Sequence, residues 1–366
     1  MNTQLRFDKL YTIMRDSGLD IVALIPGPNH RYLFDAEHFV LERPIVIFLA
    51  LEAEPVAVIP ELEIPLFDRH AVQSRLYPYT DADGYEAAFR DALEALESPG
   101  KTIGVEGLFM RFFEGEAIRS AAPDASVVDA SQALEELRLI KDAGEVAALR
   151  RAIQISEDAL RATLREARAG MSEIELAAIL DNHMRDMGGE GLSFDIILHA
   201  GGNTALPHSG PLAYRMERGD PLIFDFGATY GGYCADITRT VFLGECSDEQ
   251  RDFYTLVQAA NEAGRRAAKP GVTAESIDLA ARQVFIDAGY ESLLRHRTGH
   301  GLGLQAHEAP YIVEGNRRLL EPGMVFTIEP GIYRIGEIGV RIEDDVLITN
   351  DGCESLTSFP RDLLIV

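Results

Sequence analysis

The sequence is poor in basic residues and in long apolar runs. It has 34 Lys plus Arg against 59 Asp plus Glu, which gives a formal net charge of −25 over 366 residues. Such a charge repels a phosphate backbone or an anionic membrane surface at long range, so we expect no nucleic-acid or membrane partner. The apolar run Pro44–Leu51 is also far shorter than the roughly 20 residues that span a bilayer.

Cysteine is scarce as well. Cys234, Cys246 and Cys353 are odd in number and lack a CxxC-like spacing. This argues against a disulfide framework or a thiolate metal site, and it predicts a reducing, cytoplasmic location. Residues 1–20 carry charges throughout without an apolar core, so we expect no secretory signal there. The composition, 46% hydrophobic and 25% charged, excludes disorder over most of the length.

The chain changes character near its first third. Residues 1 to about 130 alternate short strand-like runs with helical stretches such as Tyr85–Leu96, which predicts an α/β domain. From Glu145 to Arg168 a single apolar stripe predicts a long amphipathic helix, preceded by the helix-breaking Asp142-Ala143-Gly144. We therefore predict two domains, residues 1–135 and 136–366. The strand-like runs of the first are Ile21–Leu24, Ile45–Leu51, Pro55–Ile59, Thr102–Val105 and Ser126–Val128.

A weak internal repeat lies within the second domain. Gly170-Met171-Ser172 followed by Ile174–Ala178 resembles Gly271-Val272-Thr273 followed by Ile277–Ala281. Two related halves would explain this similarity, as would the chance recurrence of short helix starts.

Residues 222–243 predict a β-hairpin, because two apolar or β-branched runs flank Tyr230-Gly231-Gly232. A loop centred on Tyr230-Gly231 would place Asp225 directly across from Asp236. Opposed side chains have Cβ atoms roughly 4.5 to 5.5 Å apart, so these like charges favour a cation between them. A register change of one residue would instead turn one aspartate into solvent.

A glycine-rich stretch, residues 298–304, surrounds His300 and is followed by His307 and Glu308. Its glycines do not match a phosphate-binding loop and favour close backbone packing around His300. A lone histidine in such a loop is also compatible with a purely structural role.

Two further strand-like segments carry charged residues. Glu329 ends the apolar run Val325–Ile328 and would be costly to bury without a partner. Alternation along residues 339–346 predicts that Arg341, Glu343 and Asp345 share one strand face. Each residue alone has an ordinary explanation, such as a solvated strand edge or a salt bridge.

Taken together, the candidates form a set of nitrogen and oxygen ligands. Imidazole and carboxylate groups suit hard or borderline divalent metals such as Mn, Co or Zn, and four carboxylates balance the charge of two such ions. The set comprises Asp225, Asp236, His300, Glu329 and Glu343.

The sequence closely resembles the pita-bread metallopeptidases, in their prolidase and proline aminopeptidase branch. The blocks that carry the resemblance are DFGATYGGYCADITRT, HGLGLQAHE, TIEPGIY, GVRIEDDVLIT and, upstream, the segment 203–208. It implies an α/β fold with a creatinase/prolidase-like N-terminal domain and a catalytic domain of two pseudo-symmetric halves. In the first domain the match is loose, since residues 32–36 read Tyr-Leu-Phe-Asp-Ala.

The resemblance also implies the roles of individual residues. Two divalent ions per chain would be held by the five residues of the ligand set, with Asp236 and Glu343 in the bridging positions. His208 and His307 match two histidines that contact the substrate and the developing oxyanion, and Arg341 matches an arginine two residues before the last ligand. Glu329 would also serve as the acid/base partner.

The predicted function is hydrolysis of the Xaa-Pro bond of dipeptides by a hydroxide that bridges the two ions. The alternatives are an aminopeptidase acting on longer Xaa-Pro peptides, a relative acting on another small amide or as a lyase, and a non-catalytic binding module. The resemblance further predicts a homodimer with a small peptide as its substrate.

Overall fold

The computed structural model describes residues 3–51, 53–207 and 209–366, which divide into two units, 1–138 and 139–366. Within these described residues, no helix is both long and apolar enough to cross a membrane. The helices are α1 Thr3–Asp16, α2 Pro28–Phe34, α3 Ile64–Phe67, α4 Glu86–Ala95, α5 Phe112–Ala121, α6 Ser131–Leu139, α7 Ala143–Leu164, α8 Glu173–Asp186, α9 Asp248–Ala267 and α10 Ala274–Asp287.

The strands of the first unit are β1 Ile21–Leu24, β2 Val46–Ala50, β3 Val56–Pro60, β4 Arg75–Tyr79, β5 Thr102–Val105 and β6 Ser126–Asp129. Those of the second are β7 Gly191–Leu192, β8 Ile197–Ala200, β9 Pro221–Phe226, β10 Ala228–Tyr230, β11 Tyr233–Cys234, β12 Ile237–Phe242, β13 Gly299–Gly301, β14 Glu308–Ile312, β15 Val325–Ile328, β16 Gly331–Arg334, β17 Ile338–Arg341, β18 Asp344–Ile348 and β19 Cys353–Ser355.

The first unit contains a six-stranded mixed sheet in the order β4-β3-β2-β1-β5-β6. All five strand-like runs predicted from the sequence are strands, and the predicted helix is α4. Strand β4 is not predicted from the sequence, because most of its residues are at least partly exposed and one is a proline, so it lacks the apolar run of a central strand. As an edge strand, β4 tolerates that proline.

The second unit consists of two halves with the same order of elements, a long helix, a shorter helix and then strands. In the first half, α7 packs beside α8, and in the second α9 packs beside α10. The repeated sequence segments correspond: Ser172 and Thr273 precede α8 and α10, and they bridge Arg215 and Leu319 respectively. The two related halves suggested by the internal repeat are therefore present.

The long amphipathic helix starts earlier than the sequence suggested. Asp142 caps α7 by accepting hydrogen bonds from the backbone N–H groups of Gly144 and Glu145. Asp142-Ala143-Gly144 is thus a helix start rather than a break, because an aspartate at the N-cap satisfies N–H groups of the first turn. The predicted stripe is buried at Leu149, Ile153 and Leu160.

The hairpin around residues 222–243 has a different register from the one predicted. Asp225 of β9 lies across from Thr238, not from Asp236. The turn is Gly231-Gly232, and both glycines have positive φ, as a two-residue hairpin loop of this type requires. Since the register differs by two residues, both aspartates keep the same face of the hairpin, and neither is turned into solvent.

The segment 339–346 is not one continuous strand. The chain leaves β17 at Arg341 and enters β18 at Asp344, and these strands belong to different sheets. The predicted alternation is therefore wrong beyond Arg341. Glu343 lies at the junction between the two sheets, while Asp345 is fully buried and its Oδ2 accepts a hydrogen bond from the backbone N–H of Asp236.

Candidate active site

A cavity of about 640 Å³ in the second unit brings the predicted ligand residues together. The first half supplies Asp225, from β9, and Asp236, immediately before β12. The second half supplies His300 in β13, Glu329 just after β15, and Glu343 between β17 and β18. All five line the cavity, as do His307 and Arg341. The prediction for His208 lies outside the described residues.

The glycines beside His300 permit an unusually close backbone approach. A Cβ atom at Gly299 would lie 1.9 Å from the carbonyl oxygen of Thr327, and one at Gly301 would lie 2.1 Å from that of Ala309. Any side chain at either position would force the backbones apart. The predicted tight packing around His300 is confirmed, and it fixes the imidazole against β14 and β15.

The carboxylates of the site crowd one another inside the protein. Burial, together with the charges of Glu343 and Asp225, raises the pKa of Asp236 well above its usual value. Burial and the charges of Glu329 and Asp225 do the same to the pKa of Glu343. For Glu329, burial is the main cause that raises the pKa to about 7. The site thus concentrates more negative charge than its buried cation, Arg341, neutralises.

The ligand atoms have a spacing suited to shared ions. Oxygen atoms of Asp225, Asp236 and Glu343 lie within 4.8 Å of one another, and so do ligand atoms of His300, Glu329 and Glu343. His300 Nε2 lies 3.6 Å from Asp236 Oδ2 and 3.4 Å from Glu329 Oε1. Burial lowers the pKa of His300 to about 3, so its imidazole is neutral and can act as a ligand.

These observations test whether divalent ions suit the residues present. Four carboxylates and one neutral imidazole converge, and the raised pKa values of Asp236 and Glu343 show that the site favours added positive charge. Oxygen ligands with a minority of nitrogen are typical of Mn²⁺, Co²⁺ and Zn²⁺ sites in proteins. The donor set therefore fits divalent cations.

Arg341 links the ligands to a buried network. Its Nη2 donates a short hydrogen bond to Asp225 Oδ2, and its Nη1 donates one of 2.7 Å to Tyr333 Oη. Burial alone would lower its pKa, but Tyr333 and the nearby carboxylates raise the pKa well above the usual value. Arg341 is accordingly a fixed cation that orients Asp225.

Thr238 connects Arg341 with Glu343. Its hydroxyl accepts a hydrogen bond from Arg341 Nε at 3.0 Å and donates one of 2.6 Å to Glu343 Oε2. The backbone N–H of Glu343 in turn donates to the carbonyl oxygen of Thr238. Both the side chain and the backbone of Glu343 are therefore held by β12.

His307 differs from His300 in exposure. It is exposed, whereas His300 is buried, and the two rings are 4.1 Å apart between centroids at 75°. One ligand atom of His307 also lies within 4.8 Å of ligand atoms of His300 and Asp236. The imidazole of His307 is thus accessible to a molecule that enters the cavity.

Several residues that line or support the cavity are not predicted from the sequence. His296 and Arg297 line the cavity, and His296 Nε2 lies 2.8 Å from the hydroxyl of Tyr333. Their proximity to His300 in the sequence was the available signal. Thr238 could have been found because it lies two residues after Asp236, which places both on the same strand face. Tyr333 has no comparable signal, since its role depends on pairing between β16 and β17.

Comparison with known proteins identifies the class. Residues 147–350 match metallopeptidase family M24, and residues 6–140 match the creatinase/prolidase N-terminal domain. The chain therefore belongs to metallopeptidase family M24, and the predicted fold class and family are confirmed. Divalent metal use is general in this family, in agreement with the donor set.

Individual relatives match along the whole chain. An Xaa-Pro dipeptidase from Lactobacillus helveticus is 33% identical over 364 residues, which cover 99% of both proteins. The crystal structure of a prolidase from Thermococcus sibiricus aligns with a TM-score of 0.93, 33% identity and full coverage of both chains. An X-Pro aminopeptidase from Thermotoga maritima aligns at 0.86, also with 33% identity, over 98% of this chain and 99% of its own.

Proposed function

We propose that the protein hydrolyses the bond between any residue and proline in dipeptides, with two divalent ions held by Asp225, Asp236, His300, Glu329 and Glu343. The observation that carries this proposal is the convergence of three buried carboxylates, the partly buried carboxylate of Glu329 and a neutral histidine in one cavity. The relatives named Xaa-Pro dipeptidase support the choice of substrate.

Asp236 and Glu343 are the two residues that would be shared between the ions. Glu343 belongs both to the cluster with Asp225 and Asp236 and to the cluster with His300 and Glu329. Asp236 likewise contacts both sides, since it groups with Asp225 and lies beside His300. A carboxylate that belongs to two neighbouring clusters would be available to both ions.

The ions, when bound, supply the Lewis-acid activation of water that peptide hydrolysis needs near neutral pH. Within the chain, Glu329 presents a partly exposed carboxylate to the cavity and is placed to transfer a proton to the departing proline nitrogen. The accessible imidazole of His307 can donate a hydrogen bond to the carbonyl oxygen under attack. Arg341 positions Asp225, and for His208 the role remains the one that the family resemblance implies, contact with the substrate and the developing oxyanion.

A dipeptide substrate requires recognition of the carboxylate that follows proline. Arg297 lines the cavity and supplies a guanidinium suited to such a carboxylate, while Arg341 is engaged by Asp225 and Tyr333. The solved relative described as an X-Pro aminopeptidase supports the second candidate, cleavage of longer peptides that begin with Xaa-Pro.

An activity panel tests this function. Metal-stripped protein is supplied with Mn²⁺, Co²⁺, Zn²⁺ or no metal and assayed on Ala-Pro, Met-Pro and matched dipeptides without proline. We expect turnover of the proline substrates only, and only with metal; Mn²⁺ and Co²⁺ should both restore it. Equal cleavage of the dipeptides without proline, or full activity of protein shown by elemental analysis to lack transition metals, would contradict the proposal.

We further propose a cytoplasmic homodimer. The three free thiols support a reducing cytoplasm, and the dimer rests on the family resemblance alone. Light scattering coupled to gel filtration tests the dimer, since a mass near 40.3 kDa would identify a monomer.

A further inference from the structure

The first unit contains a cluster of three buried histidines that the proposed peptidase function does not use. His30 lies in α2, His38 in the segment after α2, and His70 shortly after α3. The three histidines are only 1%, 8% and 5% exposed, respectively. One ring nitrogen of each lies within 4.8 Å of the others, so three potential ligand atoms from separate segments converge.

Most of the ring nitrogens in this cluster lack a hydrogen-bond partner among the described residues. The Nε2 atoms of His38 and His70 are 2.7 Å apart and form a hydrogen bond. Within the part of the chain that the structure describes, both ring nitrogens of His30 are buried without a partner, as are the Nδ1 atoms of His38 and His70. Because buried polar atoms in proteins are nearly always paired, such a concentration calls for a missing partner.

The surroundings keep the three rings neutral. The ring centroid of Phe67 lies 4.8 Å from that of His38 and 4.3 Å from that of His70. The ring of Phe34 stacks on that of His30, with 5.3 Å between centroids. Burial lowers the pKa of His30 to about 3 and of His70 to about 4, and it lowers that of His38 as well, against the opposing charge of Glu63. Near pH 7 the lone pairs are therefore available to a metal without displacement of a proton.

We propose that His30, His38 and His70 form a separate site for one borderline transition-metal ion such as Zn²⁺. Three imidazoles and no carboxylate among the ligands distinguish it from the oxygen-rich site of the second unit. A tetrahedral ion about 2.0–2.1 Å from each ligand nitrogen would increase the distance between the Nε2 atoms of His38 and His70 from 2.7 Å to about 3.3 Å. His38 lies outside the helices and strands, so this adjustment disrupts no element.

Such an ion would tie α2 to the segments that carry His38 and His70. Backbone pairing in this region already includes a hydrogen bond from the N–H of Ala71 to the carbonyl oxygen of Phe34. The ion would add a second link beside it, and it would bind one of the two buried ring nitrogens of His30. We assign the site a structural role, since the three ligands are buried and one tetrahedral position at most is left for a small ligand such as water.

Zinc stoichiometry of the full-length protein tests this proposal. The parent protein, His38→Gln and His70→Phe are stripped with a chelator, incubated with Zn²⁺, freed of excess metal and measured by elemental analysis. We expect each variant to bind about one zinc ion per chain fewer than the parent. The same loss should occur in an Asp236→Asn/Glu343→Gln background, because the two sites are independent. His183→Gln is the control. His183 lies on α8 and forms a hydrogen bond with Glu166, so its substitution should leave the zinc content unchanged.

The design separates metal loss from misfolding. Phenylalanine at position 70 fills the space beside Phe67 with an aromatic ring but offers no ligand, and circular dichroism checks that both variants are folded. Zn²⁺ should also raise the melting temperature of the parent in the Asp236→Asn/Glu343→Gln background but not that of the His38→Gln variant in the same background. An equal zinc content in the parent and both folded variants would overturn the proposal.

Discussion

Thr238 donates a 2.6 Å hydrogen bond to Oε2 of Glu343 from a position directly across the hairpin from Asp225. Thr238→Val should therefore weaken metal binding and lower kcat, because Glu343 loses the group that orients it and Arg341 Nε loses its acceptor. We expect the free energy of metal binding to become less favourable by about 1–3 kcal/mol, measured by calorimetry. Thr240→Val is the matched control: Thr240 lies on the same strand, but its hydroxyl donates to the backbone oxygen of Arg341 and accepts from the backbone N–H of Arg341 rather than bonding a ligand carboxylate. Equal loss of metal affinity in both variants would contradict this role of Thr238.

Asp236→Asn removes one charge from the centre of the site at nearly constant volume. Activity should fall by several orders of magnitude while the fold is retained, because a proposed bridging carboxylate is lost. Rates are measured at saturating Mn²⁺, beside metal content and circular dichroism. Asp195→Asn is the control, since Asp195 lines the same cavity but is exposed and belongs to none of the ligand clusters. A near-normal rate for Asp236→Asn would rule out its bridging role.

His300 and His307 should respond differently to substitution. His300→Ala should lose affinity for one ion, because the buried imidazole lies beside both Asp236 and Glu329. His307→Ala should keep its metal but lose kcat, as should His208→Ala, whose role is predicted from the sequence. Metal content and kcat are measured for each variant. If all three lose metal equally, the division into ligands and substrate-binding histidines is wrong.

Substrate length separates the two candidate activities. We expect kcat/KM for Ala-Pro and Met-Pro to exceed that for the same peptides extended by one residue or amidated, because the free carboxylate would pair with Arg297. Arg297→Met should reduce this preference and raise KM more than it lowers kcat. Equal or better cleavage of extended and amidated forms would identify an aminopeptidase, with the metal site unaffected.

A buried carboxyl in the first unit should make stability depend on pH. Burial raises the pKa of Glu106 to about 7, against hydrogen bonds from the N–H of Ile25 and from Asn29. The folded state then holds a proton that the unfolded state releases near pH 4.5, so stability falls as pH rises from about 4.5 to 7. Glu106→Gln should be more stable than the parent at pH 8 by up to roughly 3 kcal/mol.

Thermal unfolding at several pH values measures this effect. The advantage of Glu106→Gln should shrink toward pH 4.5, where Glu106 becomes protonated in both states. Glu114→Gln supplies the control: Glu114 is also fully buried in the first unit, but it pairs with Arg111, so its substitution should destabilise the protein at pH 8. A pH-independent difference between the parent and Glu106→Gln would refute the prediction.

The sequence predicted which residues converge in the cavity better than it predicted the strand register and sheet order that bring them together. Residue type and order along the chain identified the ligand candidates, but the hairpin register depended on which two residues form the turn. Gly231-Gly232 was the better choice, because Tyr230 would be strained at the positive φ that such a turn demands. The sheet change at Ile342–Glu343 was not predictable from alternation, since no glycine or proline marks it. Local pattern cannot show which sheet a strand joins.

The proposed ligands come from both halves of the second unit, two from the first and three from the second. Bound ions would then link stretches of chain that are 64 to 118 residues apart, and unfolding of either half would release them. The melting temperature should consequently rise with the concentration of free metal, as it does for any ligand that binds only the native state. In a cell, scarcity of metal would therefore shorten the lifetime of this protein as well as reduce its activity.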